Sequence, residues 1–243
     1  MSAFQMAQFY ELLENRGGRL EREGNLLLEA LDRAPSRQAA DLACGLGIHA
    51  AFLAKHDADV FAADLSIEMI RHAREKRPHP RITYETGDMR ETGDGPYGMV
   101  ICLGNSLSLL QSVEDLRLFF TNVHRILAPG GLLITQTLNY DADTMKHPRI
   151  RMEQQVLDTG AIAAVKRFLP GETSTLLSIT YYAATTEIFM DTTETVHLQH
   201  WSKKVLSETA EDSGLEVEAV YGGFDGVPIH SNSPDIILLA QKC

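Results

Sequence analysis

The stretch at residues 39–47, Ala-Ala-Asp-Leu-Ala-Cys-Gly-Leu-Gly, constrains the fold of this chain more than any other. A short apolar run carrying Asp41 leads into Cys44-Gly45-Leu46-Gly47, and a helical pattern begins at Ile48. Glycines so placed let the backbone turn sharply and approach a ligand with no Cβ in the way. The helix that follows offers free N–H groups and the positive end of its dipole to a polar or anionic ligand group. Strand, glycine turn and helix together are the nucleotide-site geometry of open α/β sheets, where ligands sit at the carboxyl ends of the strands.

The flanking sequence repeats that grammar. A helical region runs over residues 4–31, broken near Gly17-Gly18 and closed by Pro35. Strands are predicted over residues 39–43, 59–65, 82–85 and 99–103, with helices over 48–56 and 66–76. Ser66 stands where a helix N-cap belongs. Leu116, Phe119, Phe120, Val123 and Leu127 recur with a 3.6-residue period and predict a helix over residues 114–127, ended by Pro129-Gly130-Gly131. The nearly continuous apolar run at residues 132–138 reads as a buried parallel strand. This β-α-β-α order predicts a parallel sheet with helices on both faces.

About 60 residues then separate Asn139 from the next clear helix, at 202–213, whereas an ordinary link is roughly 2–6 residues. The segment must carry its own structure. Turn signals at Asp158-Thr159-Gly160 and Pro170-Gly171 set off β-rich runs at 161–169, 173–185 and 192–201, which read as an antiparallel insertion. The chain returns with strands at 215–221 and 235–240, an antiparallel edge or hairpin on the sheet. The resulting division is a helical cap at 1–35, a sheet domain at 36–140 and 202–243, and an insertion at 141–201 placed as a substrate lid.

Lys and Arg total 22 against 33 Asp and Glu, a net charge of −11, with no basic block. That argues against nucleic acid, which needs clustered cations. No apolar run is long enough for a membrane span, and the first residues lack the pattern of a secretory signal. Three cysteines without framework spacing read as reduced thiols in a cytoplasmic protein. Cys44, beside the glycine turn, is read as a small packing residue rather than a nucleophile. The nine histidines have no metal spacing, so no metal is expected. A homo-oligomer is compatible with all of this.

Four features follow one another at the ends of consecutive strands. Asp41 to Gly47 is the first. Asp64, ending the next strand, can accept both hydroxyls of a ribose. Gly87-Asp88-Met89 ends the third; its carboxylate can accept from an adenine amino group, with Met89 against the ring. Leu103-Gly104-Asn105-Ser106 follows the fourth.

This ordered set resembles the class I S-adenosylmethionine-dependent methyltransferases. V-I-C-L-G-N-S, with A-P-G-G-L-L-I and L-N-Y-D after it, is most similar to the glycine N-methyltransferase-like branch. The resemblance implies a Rossmann-like α/β fold: seven mostly parallel strands with the last antiparallel, helices on both faces, and the β insertion. It implies S-adenosyl-L-methionine as cofactor and a small-molecule acceptor, an amine or amino acid methylated on nitrogen. Gly45 and Gly47 would lie along the methionine part, Asp64 on the ribose, and Asp88 and Met89 on adenine. Leu103, Gly104 and Asn105 would line the sulfonium end. Arg19, with Arg22 as rival, would hold the cofactor carboxylate. Asp41, Ala43, Leu65, Met69 and Gly87 complete the cofactor-binding set. Asn139 and Tyr140 would face the acceptor, with Asn105 and Asn139 orienting it; no general base is assigned. Leu46 replaces the commoner threonine of this loop, and Tyr97-Gly98-Met99 lacks the frequent acidic residue. The residues by which glycine methyltransferases hold the amino-acid carboxylate have no match, so the resemblance does not extend to glycine itself.

Two rivals stand beside this reading. Gly45 to Ala50 also fits the G-x-G-x-x-A of an NAD-dependent oxidoreductase. A non-catalytic S-adenosylmethionine-binding regulator is the other. His49 reads as an ordinary packing residue, and His200 as either a buried histidine or a substrate contact. Asp41 reads as either an anchor for the turn or a cofactor contact.

Overall fold

The computed structural model describes Phe9, residues 18–186 and residues 189–243. The helix expected over residues 4–17 therefore lies outside the described residues apart from Phe9. In chain order the elements are α1 (Arg19–Arg33), β1 (Gln38–Leu42), α2 (Ile48–Lys55), β2 (Asp59–Asp64), α3 (Ile67–Lys76), β3 (Ile82–Thr86), β4 (Tyr97–Cys102), α4 (Val113–Ile126) and β5 (Leu127–Leu138). Then come β6 (Arg149–Leu157), β7 (Gly160–Pro170), β8 (Ser174–Thr185), β9 (Phe189–Gln199), α5 (Lys203–Asp212), β10 (Leu215–Tyr221) and β11 (Asp235–Lys242).

Seven strands form one sheet in the order β10-β11-β5-β4-β1-β2-β3. The five from β3 to β5 run parallel, and β11 is antiparallel to both β5 and β10. The last strand is thus inserted between β5 and β10 and leaves β10 on the edge. The sheet is buried on both faces, which is why its central strands read as unbroken apolar runs. Along β4, Val100 and Cys102 face α4 and α5 and pack with Phe119, Phe120 and Leu206, while Met99 and Ile101 face α1, α2 and α3 and pack with Leu27, Leu53 and Ile70. Ser66, Ser112 and Ser202 cap α3, α4 and α5, each hydroxyl accepting the N–H three residues on.

Gly98 on β4 sits against the chain entering β1: a Cβ there would lie 2.2 Å from the Ser36 carbonyl oxygen. Gly→Ala in a strand ordinarily helps, but here backbone would have to move. Gly98→Ala is expected to destabilise the protein by about 2 kcal/mol or more, a fall in Tm of roughly 4–8 °C by calorimetry.

Between β5 and α5 the chain builds a second, antiparallel sheet in the order β6-β7-β8-β9. It has four strands where the sequence suggested three. β6 escaped because its alternation is inverted: Ile150, Met152 and Val156 are 70%, 65% and 80% exposed, while the polar Arg149, Glu153 and Gln155 turn partly inward. This sheet has its own small core of Ile162, Ala164, Ile179, Tyr181 and Ala183, onto which Phe9 packs with its ring 5.7 Å from that of Tyr181. Trp201, just after β9, is buried in the main core, and its indole N–H donates to the Leu107 carbonyl at 2.8 Å.

Candidate functional site

Parallel pairing brings the carboxyl ends of β1 to β5 side by side. After β1 the chain turns through Ala43 (φ 58°), Gly45 (φ 52°) and Gly47 (φ 72°) into α2. A Cβ on Gly47 would sit 2.7 Å from the Tyr84 hydroxyl, so only glycine fits there. Ala43 and Asn105 are both non-glycine residues in the left-handed region; Ala43 borders the crevice after β1, and Asn105 borders an adjoining cavity after β4. Such strain concentrates where a backbone is shaped for a ligand.

Two carboxylates fix this turn. The Gly45 N–H donates to Asp64 Oδ2 at 2.8 Å and the Ser66 N–H to Asp64 Oδ1 at 2.9 Å. Asp64 thereby clamps the glycine loop to the start of α3, and each oxygen keeps a lone pair for another donor. The Ala50 N–H donates to Asp41 Oδ2 at 3.1 Å. Asp41 is fully buried, and desolvation raises its pKa from the usual 3.8 to about 6, opposed by His49 and the Ala50 bond and assisted by Asp64. Asp41 anchors the helix start, and it also borders the crevice. A raised folded-state pKa means the native protein holds an extra proton between pH 4 and 6, so stability falls as pH rises through that window. The gap corresponds to roughly 3 kcal/mol. Asp41→Asn keeps an acceptor for Ala50, and thermal melts from pH 4 to 7 should show the variant gaining on the wild type as pH rises.

The crevice consists of two adjoining cavities of about 300 Å³ each, sharing Ala43, Asp64, Ser106 and Leu109. One takes in Arg19, Gly45, Met69, Leu103 and Gly104; the other Leu65, Gly87, Asp88 and Met89. Leu65 and Leu109 are exposed apolar side chains there, a wall for a flat ring. Asp88 accepts from the Arg90 guanidinium at 2.6 Å, and those bonds, against the effect of burial, hold its pKa below the ordinary carboxylate range. Arg90 also pairs with Asp115. Cys44 and Cys102 are buried, and desolvation pushes both thiols up, which leaves them unreactive near neutrality.

Arg19 enters from α1, with its Nη2 3.1 Å from where a Gly104 Cβ would stand. Its Nε donates to Glu23 Oε1 at 3.0 Å, and His49 Nε2 lies 2.6 Å from Glu23 Oε2. Burial works to raise the Glu23 pKa, but the bond to His49 and the Arg19 charge outweigh it and lower it. Glu23 and His49 thus aim Arg19 at the crevice, while Arg22 lines two neighbouring cavities instead. The Arg19–Glu23 spacing of four on a helix was the readable signal for Glu23. His49, 26 residues away from Glu23, had none.

The acceptor-facing candidates are placed differently. Asn105 Nδ2 donates to the Tyr140 hydroxyl, and its Oδ1 accepts from the Ser108 hydroxyl and the Leu138 N–H. Its side chain ties the ends of β4 and β5 together. Tyr140 is buried and stacks on His200, ring centroids 4.3 Å apart, and the His200 ring shares a hydrogen bond of 2.8 Å with Thr175. Asn139 donates to the Ser233 carbonyl at 2.9 Å and lines none of these cavities. Among the described residues no group of three His, Cys, Asp or Glu side chains is arranged to hold a metal ion.

The methyltransferase domain family profile matches residues 39–131, which carry the glycine turn, Asp64, Asp88 and Gly104. A glycine/sarcosine N-methyltransferase of Halorhodospira halochloris is 34% identical over 51% of the chain and 48% of its own length. A dTDP-4-amino-2,3,4,6-tetradeoxy-D-glucose N,N-dimethyltransferase of Saccharopolyspora spinosa is 27% identical over 90% of the chain and 89% of its own. The crystal structure of an S-adenosylmethionine-dependent methyltransferase from Clostridium acetobutylicum superposes with a TM-score of 0.84 at 15% identity, over 100% of this chain and 99% of that one. The chain carries a methyltransferase domain over residues 39–131 and shares its fold with S-adenosylmethionine-dependent methyltransferases. It spans about half the length of the first curated relatives it matches. The crevice fits S-adenosylmethionine. Its glycine turn is open to close approach, Asp64 has lone pairs to spare, apolar side chains flank one end, and Arg19 stands at the other.

Proposed function

We propose that this chain transfers the methyl group of S-adenosyl-L-methionine to a nitrogen of a small-molecule amine or amino acid. The observation that carries the proposal is a third cavity, of about 580 Å³, which meets the cofactor crevice at Arg19 and Gly104. It is walled on one side by the ends of β4, β5 and β11 and on the other by β6 and β7 of the insertion, so an acceptor held there adjoins the expected sulfonium end. Arg151, Glu153 and Lys166 give that wall a polar, charged character suited to a water-soluble molecule. Glycine, sarcosine and aminosugars are the acceptors named for relatives, and an amine is their common group.

In this reading Asp64 takes the ribose hydroxyls. Asp88, Met89 and Leu65 take adenine, and Gly45 and Gly47 admit the methionine chain. Ala43, Met69 and Gly87 line the same path, and Arg19, rather than Arg22, pairs with the carboxylate. Asn105 and Tyr140 hold the ends of β4 and β5 in register, so they act on the acceptor through its frame. The insertion, with Phe9 packed on Tyr181, forms the lid. Bound S-adenosylmethionine supplies an activated methyl group. The protein contributes alignment and exclusion of water, which are the main terms for such a displacement. Three unpaired cysteines suit a reducing compartment, and the cytoplasm is the expected location. No described helix is long and apolar enough to cross a membrane.

S-adenosylhomocysteine at 100 times its Kd adds about 2.7 kcal/mol and should raise Tm by roughly 5–10 °C, whereas NAD should not. A shift with NAD and none with S-adenosylhomocysteine would sink the methyltransferase reading and favour the oxidoreductase. Labelled methyl transfer to a panel of glycine, sarcosine and aminosugars tests the acceptor class and separates an enzyme from a silent binder.

A further inference from the structure

Asp235 opens β11 and stands 99 residues from the glutamine that holds it. Gln136 Nε2 donates to Asp235 Oδ1 at 2.7 Å, and Gln136 Oε1 accepts the Asn105 N–H at 2.9 Å. Both ends of the glutamine amide are therefore committed, which fixes its orientation and the carboxylate beyond it. The link runs from Gly104-Asn105, at the expected sulfonium end, through one side chain to Asp235. Asp235 lines the third cavity together with Gly104 and Asn105, and no described residue donates to its Oδ2. A carboxylate bonded through one oxygen to a fixed glutamine and bordering a cavity can accept from a ligand there.

We propose that Asp235 is the group that receives the acceptor's ammonium and takes its proton, an inference resting on the N-methylation reading above. The ammonium R–NH3⁺ gives one proton to the carboxylate, leaving R–NH2 and a neutral Asp235. The freed nitrogen lone pair forms the new bond to the methyl carbon, whose bonding pair departs with sulfur to give S-adenosylhomocysteine and the methylated ammonium. Asp235 then returns its proton to water through the open cavity. Burial raises the Asp235 pKa, against the Gln136 bond, with Glu23 adding to the rise and Arg22 opposing it. That shift brings the carboxyl nearer the amine it must relieve. The other charged groups around it are Arg19 and Glu21 on α1, Arg151 and Glu153 on β6, and Lys166 on β7, with Asp225 and His230 on the far side in the loop before β11. Lys166 is already paired with Glu153 at 3.2 Å, which leaves Asp235 the carboxylate for an incoming cation.

Asp235→Asn keeps an acceptor for Gln136, so the frame is preserved, and Asp235→Glu restores the charge. The first readout is carbon NMR of the Asp235 carboxyl in the S-adenosylhomocysteine complex, assigned by its loss in Asp235→Asn, with methylammonium chloride as the probe. A saturable shift with methylammonium is expected; no shift overturns the proposal. The second is kcat/KM against pH for methyl transfer to the amine panel. Asp235→Asn should lose about a hundredfold at pH 7, with the deficit closing as pH approaches the acceptor's own pKa and the free amine becomes abundant. Asp235→Glu should recover part of the loss. An Asn variant with the wild-type rate and pH profile overturns the proposal, and so does a panel in which no amine is methylated while S-adenosylhomocysteine binds. Failure of the wild type to bind S-adenosylhomocysteine would instead overturn the cofactor reading beneath it.

Discussion

Asp64→Ala is expected to weaken S-adenosylhomocysteine binding at least tenfold and to lower Tm as well. The affinity loss follows from the ribose role: hydrogen bonds to a charged acceptor are worth about 1.5–3 kcal/mol each, and a ribose offers two hydroxyls. The stability loss follows from the structure. The sequence suggests that a strand-end carboxylate can be removed without harm to the fold. Yet Asp64 accepts the N–H groups of both Gly45 and Ser66. Removing it leaves two part-buried donors to find water, at a cost of about 1–3 kcal/mol in total, and frees the glycine turn from α3. Calorimetric titration and thermal melts on the same protein separate the two effects. Asp64→Asn is the informative companion, since its amide can serve one of the two N–H groups but meets the other with a donor. An Ala variant that melts lower but binds S-adenosylhomocysteine with unchanged affinity would move the ribose site elsewhere.

Excision of the antiparallel insertion is expected to abolish methyl transfer while S-adenosylhomocysteine affinity stays within about tenfold of the wild type. The cofactor crevice is lined by the ends of β1 to β4, the turn after β4 and residues of α1 to α4, and takes no residue from β6 to β9. The third cavity, by contrast, has one wall from β6 and β7. Loss of that wall forfeits positioning and water exclusion, and a hundredfold or greater fall in turnover is about what misplacement of a reactant costs. The cut removes the His197 carbonyl that accepts from Gln111 and the Thr175 partner of His200, but it must respect the contact that joins the insertion to the main core. Trp201 packs in the main core and donates to the Leu107 carbonyl, so residues 149–198 are replaced by a Gly-Ser linker and Trp201 is kept. The small core of the insertion is separate from the two cores flanking the large sheet, so its removal opens neither. Undiminished transfer to the same acceptor would reduce the insertion to a structural or assembly element.

The glycine turn was readable because positive φ at Gly45 and Gly47 is a local demand that only glycine meets freely. The parallel strands were readable because burial on both faces removes the polar alternation. Ser66 announced its helix through one hydroxyl and a backbone N–H three residues away. β5 was read too short: it begins at Leu127, where the Pro129-Gly130-Gly131 signal suggested a loop, and the register shift opposite Tyr97 and Met99 accommodates those residues. β6 was missed because its outward face is the apolar one, which defeats a periodicity argument. The motif at Leu138–Asp141 carries no sign of the bonds that Asn139 and Tyr140 make, to the Ser233 carbonyl and to Asn105.

The sequence by itself determined what depends on near neighbours: most of the strands and helices, where the backbone must bend, and that strand ends bearing Asp64, Asp88 and Gly104 share one edge. Only the tertiary structure decided which polar groups meet across long separations. His49 reaches Glu23 on another helix, Gln136 bridges Asn105 to Asp235, and β11 slots between β5 and β10. The physical reason is that backbone preference and side-chain period act over a few residues. The partner of a buried charge is chosen by register and packing, which no local pattern encodes.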